Sequence, residues 1–311
     1  MGGFVRIGGH LFHVQVQVDL NRESFFNGIQ MLSYRHGFHA GNFADVLKHS
    51  VLALIINALK HKDKPFVYID THAGAGKYAL NAEFAQKTAE YRQGIARLWT
   101  CRDVPEEIKD YLGAVRAENT PQQLLRYPGS PQLVRRLVRP QDRLQLSELH
   151  GSDFEALKQL YTGDKQVTVA KEDGLAMLNK KLPPIQKRGL IFIDPSYELK
   201  ADYNKVVTAL QTAHGRFATG IYALWYPVID RELTEKLLQR IKDTGIPKQL
   251  RVEHCVSPDA AVRGMTGSGM LLINPPWQLD AQAEALLPWL NHMLADGQGQ
   301  WRVEWQVPES A

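Results

Sequence analysis

Cysteine is almost missing from this chain. Only Cys101 and Cys255 occur among 311 residues. They lie far apart, without a CxxC or Cys/His spacing, which excludes a disulfide framework and a thiolate zinc site. Reduced thiols in a cytoplasmic protein are the expectation, and no metal is expected. Long apolar runs are missing too: the longest, Val51 to Leu59, is less than half of the roughly 20 residues a membrane-spanning helix needs. The charge is unremarkable, since a formal net charge of +4 permits an anionic partner without demanding one. Residues 1–30 lack the apolar stretch of a secretory leader, because Val14-Gln15-Val16-Gln17-Val18 alternates with glutamine. The motif-bearing sequence begins at a second methionine, Met31. The first 30 residues are therefore read as an extension from an upstream start codon or from cloning, the alternative being a genuine extra hairpin. No internal repeat or low-complexity segment is visible.

What is present is enough apolar sequence, 44% of the chain, for one large core or a main domain carrying an insertion. From Asn42 to Leu59 the apolar residues recur at helical spacing, with Asn42 placed to cap the helix. Phe66 to Asp70 reads as a buried strand running into the glycine-bearing loop Thr71-His72-Ala73-Gly74-Ala75-Gly76. Beyond Gln141 strands and helices alternate. Strands are expected at Leu144 to Glu148, Val167 to Lys171, Leu190 to Asp194, Ile221 to Trp225, Leu250 to Val256 and Met270 to Asn274. Helices are expected at Ala201 to His214 and Arg231 to Asp243, and another is opened by a Ser152/Glu155 capping box. This alternation predicts an α/β fold with a mostly parallel, doubly wound sheet. About 70 residues separate the glycine loop from the next strand, far more than a βαβ unit needs. A small helical subdomain is therefore expected over residues 81–126, inserted in a domain spanning residues 31–311.

In open α/β sheets ligands bind beyond the carboxyl ends of the strands. The glycine loop ends the first strand there, and its glycines let backbone approach a ligand closely. Glu148 ends the second strand, where Rossmann-like folds hold ribose hydroxyls. Asp173, before Gly174, ends the third and can accept an exocyclic amine of a cofactor adenine. The fourth strand delivers Asp194-Pro195-Ser196-Tyr197, which resembles the Asp-Pro-Pro-Tyr motif of N6-adenine methyltransferases. The chemistry suits those residue types. The lone pair of adenine N6 is delocalised into the ring, so the amine needs acceptors for its hydrogens. Asp194 and the Pro195 carbonyl can supply them, while the Tyr197 ring can stack on an extruded base.

Together with Met31-Leu32-Ser33-Tyr34-Arg35-His36-Gly37-Phe38-His39-Ala40-Gly41-Asn42, Tyr127-Pro128-Gly129-Ser130-Pro131, Ala223-Leu224-Trp225-Tyr226-Pro227 and Arg263-Gly264-Met265-Thr266, these residues make the chain resemble the RlmJ family. The resemblance runs from Met31 to about Pro308. It implies a Rossmann-like class I methyltransferase fold with an antiparallel last strand, and S-adenosyl-L-methionine as the cofactor. The implied reaction is N6-methylation of adenine in 23S ribosomal RNA free of ribosomal proteins, by a monomer in the cytoplasm. It further implies a cofactor pocket lined by Lys48, His49, His72, Ser130, Glu148, Asp173, Gly174 and Asp194, with Lys48 and His49 facing the methionine end. Asp194 would be the catalytic acceptor and Tyr34 part of a lid over the substrate side. Ser196 departs from the family motif, which has a second proline there, and predicts a less rigid loop.

A rival motif, Asn274-Pro275-Pro276-Trp277, matches an Asn-Pro-Pro-aromatic pattern better than Asp194-Pro195-Ser196-Tyr197 does. In the resemblance its strand is the last, antiparallel one, so the prolines are expected to stop an edge strand away from the ligand edge, ahead of a helix near Asp280. Basic residues at Arg135, Arg136, Arg139 and Arg143, at Lys180, Lys181, Lys187 and Arg188, and at Arg263 could hold phosphates. Solvated surface is the plainer reading. Two other functions share the pattern: a DNA adenine methyltransferase, and a non-catalytic nucleic-acid binder that kept the fold.

Overall fold

The computed structural model describes residues 3–7, 10–14, 36–259 and 264–308. It divides into two units, residues 1–33 and 34–311. The first contains an antiparallel hairpin of β1 (Gly3–Ile7) and β2 (His10–Val14). Tyr34 and Arg263 lie outside the described residues.

The second unit is an eight-stranded sheet with helices on both faces. Chain order runs α1 (Phe43–Lys60), β3 (Val67–Asp70), β4 (Lys77–Ala79), α2 (Glu83–Thr88), α3 (Ile95–Trp99), α4 (Glu106–Arg116), β5 (Arg126–Pro128), α5 (Ser130–Leu137), β6 (Arg143–Ser147), α6 (Gly151–Leu160), β7 (Val167–Ala170) and α7 (Gly174–Lys181). It continues β8 (Gly189–Ile193), α8 (Lys200–Arg216), β9 (Ile221–Val228), α9 (Arg231–Lys242), β10 (Gln249–Cys255), β11 (Gly267–Ile273), α10 (Leu279–Ala295) and β12 (Gln300–Val307). Spatial order is β12-β10-β11-β9-β8-β3-β6-β7. From β9 to β7 all neighbours are parallel, and β11 pairs antiparallel with both β9 and β10. The expected α/β sheet is present. One detail differs: β11 is antiparallel but interior, and the edge strand is β12. The prolines after β11 therefore end an interior strand.

Helix α1 has 14 of its 18 residues buried, the polar Asp45, Lys48, His49 and Ser50 among them, and packs against α4, α5 and α10. Asn42 caps it by accepting the Asp45 N–H. The segment between β4 and β5 is helical, as its sequence suggests. Its Ile95, Leu98, Ile108, Tyr111, Leu112 and Val115 join the same hydrophobic core as the sheet. The Ser152/Glu155 capping box does not form. Helix α6 starts at Gly151 with His150 at the cap position and no side-chain cap, and the Ser152 hydroxyl meets the His150 ring instead.

Candidate active site

Five parallel strands bring their carboxyl ends to one edge of the sheet, and Glu148, Asp173 and Asp194 follow three of them there. The loop after β3 turns on Gly74 and Gly76, both in the left-handed region at φ +57 and +76. A Cβ on Gly74 would lie 2.3 Å from the Tyr78 hydroxyl, so a side chain there would displace that tyrosine as well as strain the backbone. Glu148, just past β6, holds this loop: its Oε2 accepts the Gly74 N–H at 2.7 Å and its Oε1 the His150 N–H at 2.7 Å. Burial raises its pKa against those two bonds. A plain surface glutamate would not be built into a loop in this way.

Asp173 caps α7, with Oδ1 accepting the Leu175 and Ala176 N–H groups at 2.9 and 3.1 Å. The side chain is exposed at the same sheet edge. Gly174 is buried, and a Cβ there would fall 1.8 Å from the Thr71 carbonyl oxygen. Its place is thus set by close packing of α7 against the end of β3.

Asp70 was not singled out from the sequence, yet it is the most deeply buried carboxylate at this edge. Tyr68 and Ser130 donate their hydroxyls to its Oδ2 at 2.6 and 2.7 Å, and the His72 N–H reaches Oδ1 at 3.1 Å. Burial, outweighing these donors and helped by Asp194, pushes its pKa up to about 6. Ser130 therefore serves Asp70 first. His72 bonds Thr71 through its ring at 2.7 Å. Burial lowers its pKa, opposed by Asp194 and Asp173, so the ring is neutral at neutral pH. His49 is buried, with Nδ1 2.8 Å from the Tyr127 hydroxyl and its ring stacked on that tyrosine. Tyr127 in turn meets Tyr111.

The fourth parallel strand, β8, presents Asp194. The Lys48 ammonium, 2% exposed as a residue, lies 2.6 Å from Asp194 Oδ2 and 2.9 Å from Asp45 Oδ1. It also sits 5.2 Å from the Trp225 ring centroid. Burial lowers the Lys48 pKa, but the two carboxylates outweigh it and hold the amine charged. Asp45 is fixed by the Gly41 N–H at 2.9 Å. Among the described residues no partner is found for Asp194 Oδ1. Lys48 thus belongs with Asp194, a pairing the helical spacing alone did not reveal.

The loop after Asp194 is anchored at Tyr197. Tyr197, at φ +54, is buried with its hydroxyl on the Trp225 carbonyl at 2.8 Å and its ring 4.7 Å from that of Tyr203. A left-handed tyrosine is strained and persists only where its surroundings fix it. These anchors hold Tyr197 in that conformation. Asn274 is remote from this edge: β11 register places Ile273 opposite Tyr222, near the start of β9. Of the arginines that could hold phosphates, Arg135 is paired with Asp164 and Arg136 with Glu118, while Arg139 pairs with Asp142.

Comparison with known proteins identifies the family. A family model described as Ribosomal RNA large subunit methyltransferase D, RlmJ, matches residues 63–307. A protein of Escherichia coli (strain K12) named Ribosomal RNA large subunit methyltransferase J is 53% identical over 280 residues, covering 90% of this chain and 100% of the relative. A protein of the same name from Haemophilus influenzae is 49% identical over 281 residues, with 90% and 100% covered. Among solved structures, a protein from Legionella pneumophila str. Philadelphia 1 superposes with a TM-score of 0.81 at 39% identity, over 86% of this chain and 98% of that one.

Proposed function

The chain belongs to the RlmJ family of ribosomal RNA large subunit methyltransferases, and from that premise we propose that it methylates the exocyclic N6 of an adenine in 23S ribosomal RNA. The observation that carries this reading is Asp194, held by buried Lys48 at the ligand edge beside the glycine loop, Glu148 and Asp173. The methyl donor is S-adenosyl-L-methionine, and the donor set fits it. Glu148 is fixed where ribose hydroxyls can be accepted, and Asp173 keeps a carboxylate oxygen beyond its helix cap for an adenine amine. The glycine loop offers close backbone approach. His72, Ser130 and Gly174 line and shape this pocket, and His49 positions α1 through Tyr127.

When bound, the cofactor supplies a methyl group on a sulfonium, already a strong electrophile. This chain's residues orient the acceptor. Asp194 Oδ1 and the Pro195 carbonyl accept the N6 hydrogens, which directs the nitrogen lone pair at the methyl carbon. Transfer of that methyl to N6 would leave the nitrogen cationic, and the Asp194 carboxylate is placed to stabilise the charge and accept the proton that N6 gives up. Lys48 keeps the carboxylate oriented through Oδ2. Tyr197 and the Trp225 ring wall the space into which the base is extruded; Tyr34, outside the described residues, keeps only its proposed role as part of a lid.

The substrate on this reading is RNA stripped of ribosomal proteins, because the base must leave its stack and recognition rests on loops around the site. The enzyme acts as a cytoplasmic monomer, and among the described residues no helix is long and apolar enough to cross a membrane. Residues 1–30 are proposed to take no part. The test is incubation with labelled cofactor and stripped 23S RNA, intact subunits or duplex DNA, followed by mapping of the label. Label on adenine N6 of the stripped RNA is expected. Equal labelling of duplex DNA would make the enzyme a general adenine methyltransferase.

A further inference from the structure

The edge of the sheet opposite Asp194 carries a second feature that methyl transfer does not use. Three loops meet there: residues 59–65 before β3, 138–142 before β6, and 182–188 before β8. Two arginines bind them together. Arg139 donates to the carbonyls of Lys60, Lys62 and Lys64, and Arg188 to those of Leu59, Lys62 and Lys64. Both guanidiniums lie over the Phe66 ring, at 5.8 and 5.9 Å. This clamp fixes the backbone while Lys62, Lys64, Arg143 and Lys187 remain exposed. Among the described residues, Lys60, Lys62, Lys64 and Lys187 make no ion pair. Of the acidic residues in these loops, Asp142 is buried under Arg139 and Asp63 is 3.9 Å from the same guanidinium.

The Asn274-Pro275-Pro276-Trp277 motif ends at the same edge. Asn274, at φ +52, donates from Nδ2 to the Ala218 and Gly220 carbonyls, both at 2.8 Å. Two prolines then stiffen the turn. On it Trp277 is 87% exposed, whereas Trp301 and Trp305 are 40% and 38% exposed. From β11 to β6 the sheet spans four strand spacings, about 19 Å. Fixed cations and one rigidly presented indole thus share a single edge.

We propose that this edge docks a second segment of the same RNA, its phosphates on Lys62, Lys64, Arg143 and Lys187 and an unpaired base stacked on Trp277. The inference rests on ribosomal RNA being the substrate. The two edges lie at opposite ends of the strands, so RNA bound at both must pass round a domain roughly 45 Å across, which a minimal stem-loop holding the target base does not reach. A large folded RNA does. The surface therefore selects long substrate over fragments without touching the reacting base.

The test compares the wild-type protein, the triple variant Lys62→Glu/Lys64→Glu/Lys187→Glu, and Trp277→Ala, using filter binding to full-length 23S RNA and to a short stem-loop that carries the target adenine. Thermal melts and cofactor titration accompany each variant. For the long RNA the triple variant should bind at least about 10-fold more weakly, with a salt slope shallower by about 2 to 3, since each phosphate contact contributes about 0.7 to 0.9. Trp277→Ala should weaken the same RNA with little change of slope. Stem-loop binding should be unchanged for both. Unaltered affinity and slope for the long RNA, or equal losses on long and short RNA, overturns the proposal. Because binding is read directly, failure of N6 methylation in wild-type protein would count against the proposed reaction and leave this result separate.

Discussion

The Lys48 ammonium lies 2.6 Å from Asp194 Oδ2, while its other contact, Asp45, is three residues back on the same helix. One buried cation thus joins the helix that follows the N-terminal segment to the strand end carrying the proposed acceptor. Removing it leaves two carboxylates facing each other out of water, which costs about 3 kcal/mol or more. Lys48→Met should lower the Tm by several degrees and cut single-turnover methylation by about 10²-fold. Lys48→Arg keeps the charge but not the compact point contact, so it should recover stability better than rate. A Lys48→Met protein with wild-type turnover would remove Lys48 from the orientation of Asp194.

Two proline-aromatic motifs end strands that run in opposite directions, so only one faces the cofactor edge. Asp194→Ala removes an acceptor aimed at the reacting amine, and single-turnover methylation should fall by at least about 10²-fold with cofactor binding largely kept. Asn274→Ala loses two bonds to backbone carbonyls. It should lower the melting temperature and leave the chemical step intact. A folded but inactive Asn274→Ala beside an active Asp194→Ala would reverse the assignment.

Much of this was legible in the sequence because it rests on local pattern. Short apolar runs located β3 and β8, the alternation of strands with helices located β6, helical apolar spacing located α1, and a carboxylate at each strand end located Glu148, Asp173 and Asp194. What escaped depends on contacts distant in sequence. The Lys48–Asp194 pair spans 146 residues, and Asp70 gains its importance only when Ser130 closes over it from 60 residues away. The alternation Trp301, Val303, Trp305, Val307 does mark β12, but no motif drew attention to it. Gly174 looked like a ligand contact next to Asp173. It also packs against the Thr71 carbonyl of another loop, a constraint no local pattern encodes.

Asp70 gives the stability a pH dependence whose sign is fixed by its raised pKa. Folded, it titrates at about 6, and unfolded near the ordinary carboxylate value of about 3.9. Between these pH values the folded state holds more protons than the unfolded one, so Asp70's contribution to stability falls as pH rises from about 4 to about 6. The shift corresponds to roughly 2 to 3 kcal/mol. Asp70→Asn cannot ionise, so the difference in unfolding free energy between mutant and wild type should change in the mutant's favour by that order between pH 4 and pH 7. Denaturant titrations at both values measure it. A difference independent of pH would mean that Asp70 titrates normally.

Gly174 and Gly113 make a matched pair for separating packing from propensity. At Gly174 an added Cβ would lie 1.8 Å from the Thr71 carbonyl oxygen, whereas at Gly113, exposed within α4, nothing lies within 4 Å. Gly113→Ala should therefore stabilise the protein by up to about 1 kcal/mol, because alanine loses less backbone entropy in a helix. Gly174→Ala must push the start of α7 away from the end of β3, at about 1 to 3 kcal/mol. That displacement carries Asp173, the cap residue, with it. Affinity for S-adenosyl-L-methionine should then drop by about 10-fold or more in isothermal titration, even at temperatures where the variant is folded. If Gly174→Ala binds the cofactor as wild type while Asp173→Ala does not, the close approach of α7 serves stability alone, and Asp173 reaches its ligand without it.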